Sequence, residues 1–183
     1  RLKPAVMLYR SCALEGFGNV RADFRCGALK ALTHLLGRGF EQIVPVQPFT
    51  GDLAADEFVA ALEKAADETG CRPRLGSVVP ATTDQERAAL IERLRRATRR
   101  TALICPEDNV TLFLATAARE AGIPCPDRIG LLSVMGTDYA IKAGISCMRY
   151  DYRAMGRMAV NTFGSAEPVR HVLEPQFFGG VTT

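Results

Sequence analysis

The chain has 183 residues, and its 48% hydrophobic content is enough for one sizeable core or two small ones. No stretch approaches the roughly 18 consecutive apolar residues of a membrane-crossing helix, and the N-terminus has no basic-then-apolar signal pattern, which excludes a span of that kind and a visible export signal. The formal charge of +3 is modest.

In chain order, Ala5 to Tyr9 reads as a strand, followed by a loop through Gly16 and Gly18. Asp23 stands where a helix N-cap would stand, ahead of a helix over 24–36 that closes at Gly37 and Gly39. A strand over 41–46 and a PFTGD turn precede a helix over 53–69, in which Phe58, Leu62 and Ala66 recur at four-residue spacing before Gly70. Residues 75–79 form a short strand, and Thr83 or Asp84 caps a helix over 85–97. The apolar run 101–105 reads as a buried parallel strand. After it come the loop Pro106-Glu107-Asp108-Asn109, a helix over 111–121 that Gly122 lets end, and a second buried run over 129–135. Asp151 is placed to cap a last helix over 152–163. Strand and helix alternate throughout, which defines a doubly wound α/β class and puts the 106–109 loop beyond the carboxyl end of a strand, where such sheets bind ligands.

Other chemistry is thin. The cysteines at 12, 26, 71, 105, 125 and 147 have no C-x-x-C spacing, and only His34 and His171 could assist them, so neither a metal site nor a cofactor is expected. Those in strands and helices read as small buried hydrophobes in a reducing compartment, which argues for the cytoplasm. Gly16-Phe17-Gly18 lacks both the third glycine of a dinucleotide loop and the Lys-Ser/Thr of a phosphate loop. No nucleophile stands beside a base at convincing spacing, so no catalytic residue is assigned and the chain reads as a binding protein. The RLRRATRR run, 93–100, sets five guanidiniums at a helix end without interleaved aromatics, which suits a solvated face and the helix dipole better than nucleic acid.

The stretch TALICPEDNVTLFLATAAREAGIPCPDRIGLLSV, 101–134, resembles the effector-binding core of the lactose- and galactose-repressor family of bacterial transcription regulators. The likeness continues upstream in VRADFRCGALKALTHLLGRGFEQIVPV and downstream in ISCMRYDYRAMGRMAV and VRHVLEPQFFGGVTT, in the family's order over nearly the whole chain. The resemblance implies a two-lobed, periplasmic-binding-protein-like type I fold with parallel doubly wound sheets, the first part of the N-terminal lobe missing. It divides the chain into 1–21 in the N-terminal lobe, 22–146 in the C-terminal lobe, 147–165 back in the first and 166–183 in the second. It also implies a cytoplasmic homodimer, a sugar- or nucleoside-like effector between the lobes, and DNA contacts through a missing N-terminal module. The alternative within the same fold is an exported solute-binding receptor for a sugar transporter.

Carried over position by position, Glu107 occupies a place that bonds a sugar hydroxyl in the family and Asp108 one that caps a helix beside the cleft; Tyr152 matches an aromatic that stacks on a sugar ring. Departures matter as much. Where the family grips hydroxyls with an aspartate after the 129–133 strand, this chain has Met135, and Asp138 could replace that aspartate only in a reshaped loop. The family's sugar-binding arginine falls near Ala54, with Glu57-Phe58 in its G-[FW] places, and the usual Gly-His is Gly39-Phe40. The expected ligand residues are therefore Glu107, Asp108, Tyr152, Met135 and Asp138, with the polar clamp for a sugar largely gone.

Overall fold

The computed structural model describes residues 5–13, 15–49, 51–163 and 169–183. Its strands form two sheets. The smaller contains β1 (Ala5–Tyr9), β2 (Phe17–Ala22) and β8 (Arg170–Leu173), all parallel, with α6 (Tyr152–Phe163) packed on β1 and β2. The larger runs β4 (Val79–Pro80), β3 (Gln42–Gln47), β5 (Thr101–Cys105), β6 (Ile129–Ser133), β7 (Ser146–Arg149), β9 (Gln176–Phe178) in spatial order, antiparallel only at the β7–β9 edge. The α/β fold with parallel-dominated sheets is thus as the sequence indicates.

Strand alternation builds the larger core. Ala102 and Ile104 of β5 face the cluster formed with α1 (Phe24–Gly37) and α2 (Leu53–Glu68), whereas Leu103 and Cys105 face the one formed with α3 (Asp84–Arg96) and α4 (Asp108–Glu120). Helices α1, α3 and α6 start where the sequence puts their caps. Asp23 accepts from the Cys26 amide and Thr83 forms a reciprocal capping box with Glu86, while Asp52, read from sequence as part of a turn, caps α2 through the amides of Ala54 and Ala55. Asp151 accepts from the Ala154 amide at 2.8 Å.

Several boundaries differ from the sequence reading. The strand expected over 75–79 is reduced to Val79–Pro80 plus a single bridge between Leu75 and Ile43, because the Arg72–Arg74 turn, carrying Pro73, uses up the preceding backbone. The run after Leu132 stops at Ser133, since Gly136 turns the chain at φ 58° into a short helix α5 (Asp138–Lys142) capped by Thr137. The lobe crossings also fall later than expected. Residues 147–149 lie in β7 of the larger sheet, and 170–173 pair with β2 in the smaller one, so the chain returns at about Asp151 and leaves after Leu173. A hydrogen-bonded strand is held by its neighbour's backbone, which sequence pattern alone does not reveal.

Three arginines of the run take structural roles. Arg95 and Arg96 both pair with Glu92. Arg100 lies over the Phe40 ring, 4.7 Å from its centre, and donates to the carbonyls of Arg38, Pro126 and Asp127. The cysteines are free, and burial pushes the Cys105 thiol up to about 12, so it behaves as a small hydrophobe.

His34, on the last turn of α1, is hydrogen-bonded through Nε2 to Thr183 Oγ1 at 2.8 Å and lies against Phe177. Burial, and secondarily the charge of Arg38, lowers its pKa below the ordinary 6.5. The unfolded chain then binds this proton more readily than the folded one, so His34's contribution to stability is complete above pH ~6.5 and is lost as pH falls toward the folded pKa. The difference in melting temperature between wild type and His34→Gln is expected to shrink from pH 7.5 to pH 5.5; a constant difference counts against the assignment.

Candidate functional site

The carboxyl ends of the parallel strands meet in one place. β1 delivers Tyr9 from the smaller sheet; the larger sheet delivers Phe49 after β3, Glu107 after β5 and Met135 after β6. With Phe24 and Phe58 from α1 and α2, these side chains line a cavity of about 220 Å³.

Tyr9 is set there by the backbone. It is the one non-glycine described residue with positive φ, at 72°, and the Arg10 amide reaches back to the Leu8 carbonyl across it, closing a strained three-residue turn. The Asn19 side chain holds this turn by donating to the carbonyls of Met7 and Arg10. The Tyr9 ring then packs edge-on to Phe24 at 5.4 Å and Tyr150 at 5.9 Å, and tilted against Tyr152 at 6.0 Å. The Tyr152 hydroxyl in turn donates to the Met135 carbonyl at 2.7 Å. Since Tyr152 belongs with the smaller sheet and Met135 with the larger, this bond links the two across the cleft. A second link joins the Ser11 amide and hydroxyl to the Glu57 carboxylate at 3.0 and 2.7 Å.

The five residues singled out from sequence separate into different environments. Glu107 and Met135 line the aromatic cavity. Glu107 holds the N-cap place of α4, but its side chain makes no capping bond, and its buried Oε2 has no hydrogen-bond partner among the described residues. Burial, then the neighbouring charges of Asp108 and Asp52, raises its pKa above the usual carboxylate value. Tyr152 and Asp138 line a second cavity of about 390 Å³, on the other side of the Tyr152–Met135 bond, where Asp138 pairs with Arg149 at 2.6 Å. Asp108 lies in neither. It is 3% exposed and is not the helix cap expected from sequence. Its carboxylate accepts from the Ser133 hydroxyl, the Gly136 amide, and the amide and hydroxyl of Thr137 at 2.8 and 2.6 Å. The side chain that would have met a ligand instead ties the loop after β6 to the start of α4.

Tyr9, Phe24, Phe49 and Phe58 were not among the residues expected at the site. Tyr9 carried a usable signal, the last position of a parallel strand before a glycine-rich loop, but the three phenylalanines read as ordinary core. A larger concavity, about 650 Å³, is an open trough by Gln42 and the arginines at the end of α3, at the amino end of β3 and away from the converging strand ends. Among the described residues, no cluster of three His, Cys, Asp or Glu side chains is placed to hold a metal ion. No helix among them is long and apolar enough to cross a membrane.

Residues 32–166 match the periplasmic binding protein-like domain, and the chain belongs to that family. Its fold is that of the effector-binding core of LacI-type regulators. A LacI transcriptional regulator from a Rhodococcus species superposes with a TM-score of 0.84 at 22% identity, over 98% of this chain and 69% of that one. A LacI family regulator from Enterococcus faecium with bound ribose gives 0.82 at 18% identity, over 98% and 70%. The complex of the transcriptional regulator CelR with cellobiose gives 0.75 at 19% identity, over 97% and 58%. At these identities the likeness speaks for the fold. No curated protein matches the chain in sequence.

Proposed function

We propose that this chain is the effector-sensing and dimerisation core of a bacterial DNA-binding transcription regulator, cytoplasmic and homodimeric, without catalytic activity of its own. The observation that carries the reading is the meeting of strand ends from both sheets on one cavity, beside the Tyr152–Met135 hydrogen bond that joins the two. A ligand filling that cavity touches both sheets, so its binding energy differs between their closed and open arrangements, and this difference is what a sensor converts into a change elsewhere. The neighbours crystallised with ribose and with cellobiose support a small molecule as the occupant. Glu107 and Met135 contact it directly; Tyr152 packs against Tyr9 and bonds the Met135 carbonyl behind the cavity; Asp108 and Asp138 hold the loop between them.

The test is to sequence the natural full-length protein from its N-terminus and to measure its mass in solution and its binding to DNA upstream of its own gene. A helix-turn-helix segment, a dimer mass at tens of micromolar and salt-sensitive binding to that DNA are expected. A cleaved secretory signal with no DNA binding overturns the reading in favour of an exported solute-binding receptor.

A further inference from the structure

The walls of the aromatic cavity differ from what a sugar needs. A polyol presents hydroxyls on every side, each requiring a donor or acceptor when it leaves water. Here the described lining residues are Tyr9, Phe24, Phe49, Phe58 and a set of aliphatic and small side chains, with Asp52 and Glu107 as the charged members. No lysine, arginine, asparagine or glutamine is among them. Asp52 already accepts two amides as the cap of α2. Glu107 is therefore the one carboxylate whose oxygen is buried at the cavity with no hydrogen-bond partner among the described residues.

The two helix N-termini that face this space do not offer it their positive ends, because Asp52 caps one and Glu107 stands at the other. Asp108 adds a third carboxylate immediately behind. An anionic ligand would meet repulsion from all three. A cation is favoured twice, by the negative charge and by the faces of the surrounding rings.

We propose that the cleft selects a small organic amine, a single apolar ring carrying a protonated nitrogen, with the ring held among Tyr9, Phe24, Phe49 and Phe58 and the ammonium donating to Glu107. The inference rests on the reading of this cleft as the effector site and names the chemical class of the effector. Burial and the neighbouring charges of Asp108 and Asp52 make the ionised Glu107 costly, and an ammonium beside it offsets that cost. The volume of about 220 Å³ admits one ring with a short side chain and leaves no place for a disaccharide.

Titration calorimetry on the full-length protein with phenethylamine, phenethyl alcohol and ribose tests this. The amine is expected to bind about tenfold more tightly than the alcohol, and both more tightly than ribose. Glu107→Gln, which removes charge without removing a side-chain cap bond, is expected to erase the preference for the amine over the alcohol. Phe49→Ala, at a ring 46% exposed and so harmless to the core, is expected to weaken the amine severalfold. Equal affinity for amine and alcohol overturns the proposal, as does an unchanged amine affinity in Glu107→Gln. Tighter binding of ribose overturns the amine assignment yet leaves the effector-cleft reading standing, whereas loss of that reading would be seen in the DNA-binding measurement instead.

Discussion

Replacing Asp108 by alanine is expected to lower the unfolding free energy by about 3–4 kcal/mol, near the upper end for a single polar residue. Four donors converge on this carboxylate, two of them backbone amides, and the Ser133 hydroxyl and the Gly136 amide are bonded to it in fully buried surroundings. Alanine leaves these donors without an acceptor where water does not reach, and each unsatisfied buried donor costs roughly 1–3 kcal/mol. The consequence extends to the site, because the loop that Asp108 holds includes Met135, whose carbonyl receives the Tyr152 hydroxyl. Asp108→Ala should therefore lose ligand binding as well as stability. Asp108→Asn, which keeps the shape and one acceptor oxygen, should lose about half as much stability. Urea midpoints at constant m-value measure both; a loss under about 1 kcal/mol for alanine would show that the loop is held by other contacts.

Phe40→Ala is expected to cost about 3–5 kcal/mol, the range for deleting a fully buried aromatic ring. Phe40 is 0% exposed. The ring fits because β6 has Gly130 opposite it: a β-carbon there would come within 2.8 Å of Phe40 Cε1 and 2.9 Å of Cε2. Arg100 covers the other side while its guanidinium ties the end of α1 to the segment before β6. Alanine leaves a cavity that this backbone, pinned from several directions, cannot close. Gly130→Ala tests the same packing from the opposite side by overfilling it, and should cost about 1–3 kcal/mol. If Phe40→Ala and Gly130→Ala are combined, the new methyl group occupies part of the space the ring vacates, so the double mutant should be less destabilised than the sum of the two. Strict additivity would show that the two residues do not share one space.

How far the site was legible follows from the same particulars. Glu107 was found from sequence because it follows a buried strand, and its side chain does line the cavity. Asp108 was found for the same reason, but its neighbours in space, Ser133, Gly136 and Thr137, are 25 or more positions away in the chain and turn it from a cap into a buried tie. Tyr152 was expected to stack on a ligand; instead its hydroxyl bridges to Met135, and Tyr9 takes the place at the cavity wall. The aromatic enclosure was hidden because Phe24 and Phe58 have the spacing of core residues, and periodicity cannot distinguish a ring that fills a core from one that borders a cavity in it.

The alternation of strand and helix, the caps at Asp23, Thr83 and Asp151, and the doubly wound class were legible in the chain itself, because each depends on residues within a few positions of one another. The tertiary structure alone decided where the chain crosses between sheets, which carboxylate is satisfied and which is left at the cavity, and the turn that presents Tyr9. Those outcomes depend on backbone pairing and desolvation between segments as distant as Tyr9, Glu107 and Met135, whose approach is set by the packed whole and by no local pattern.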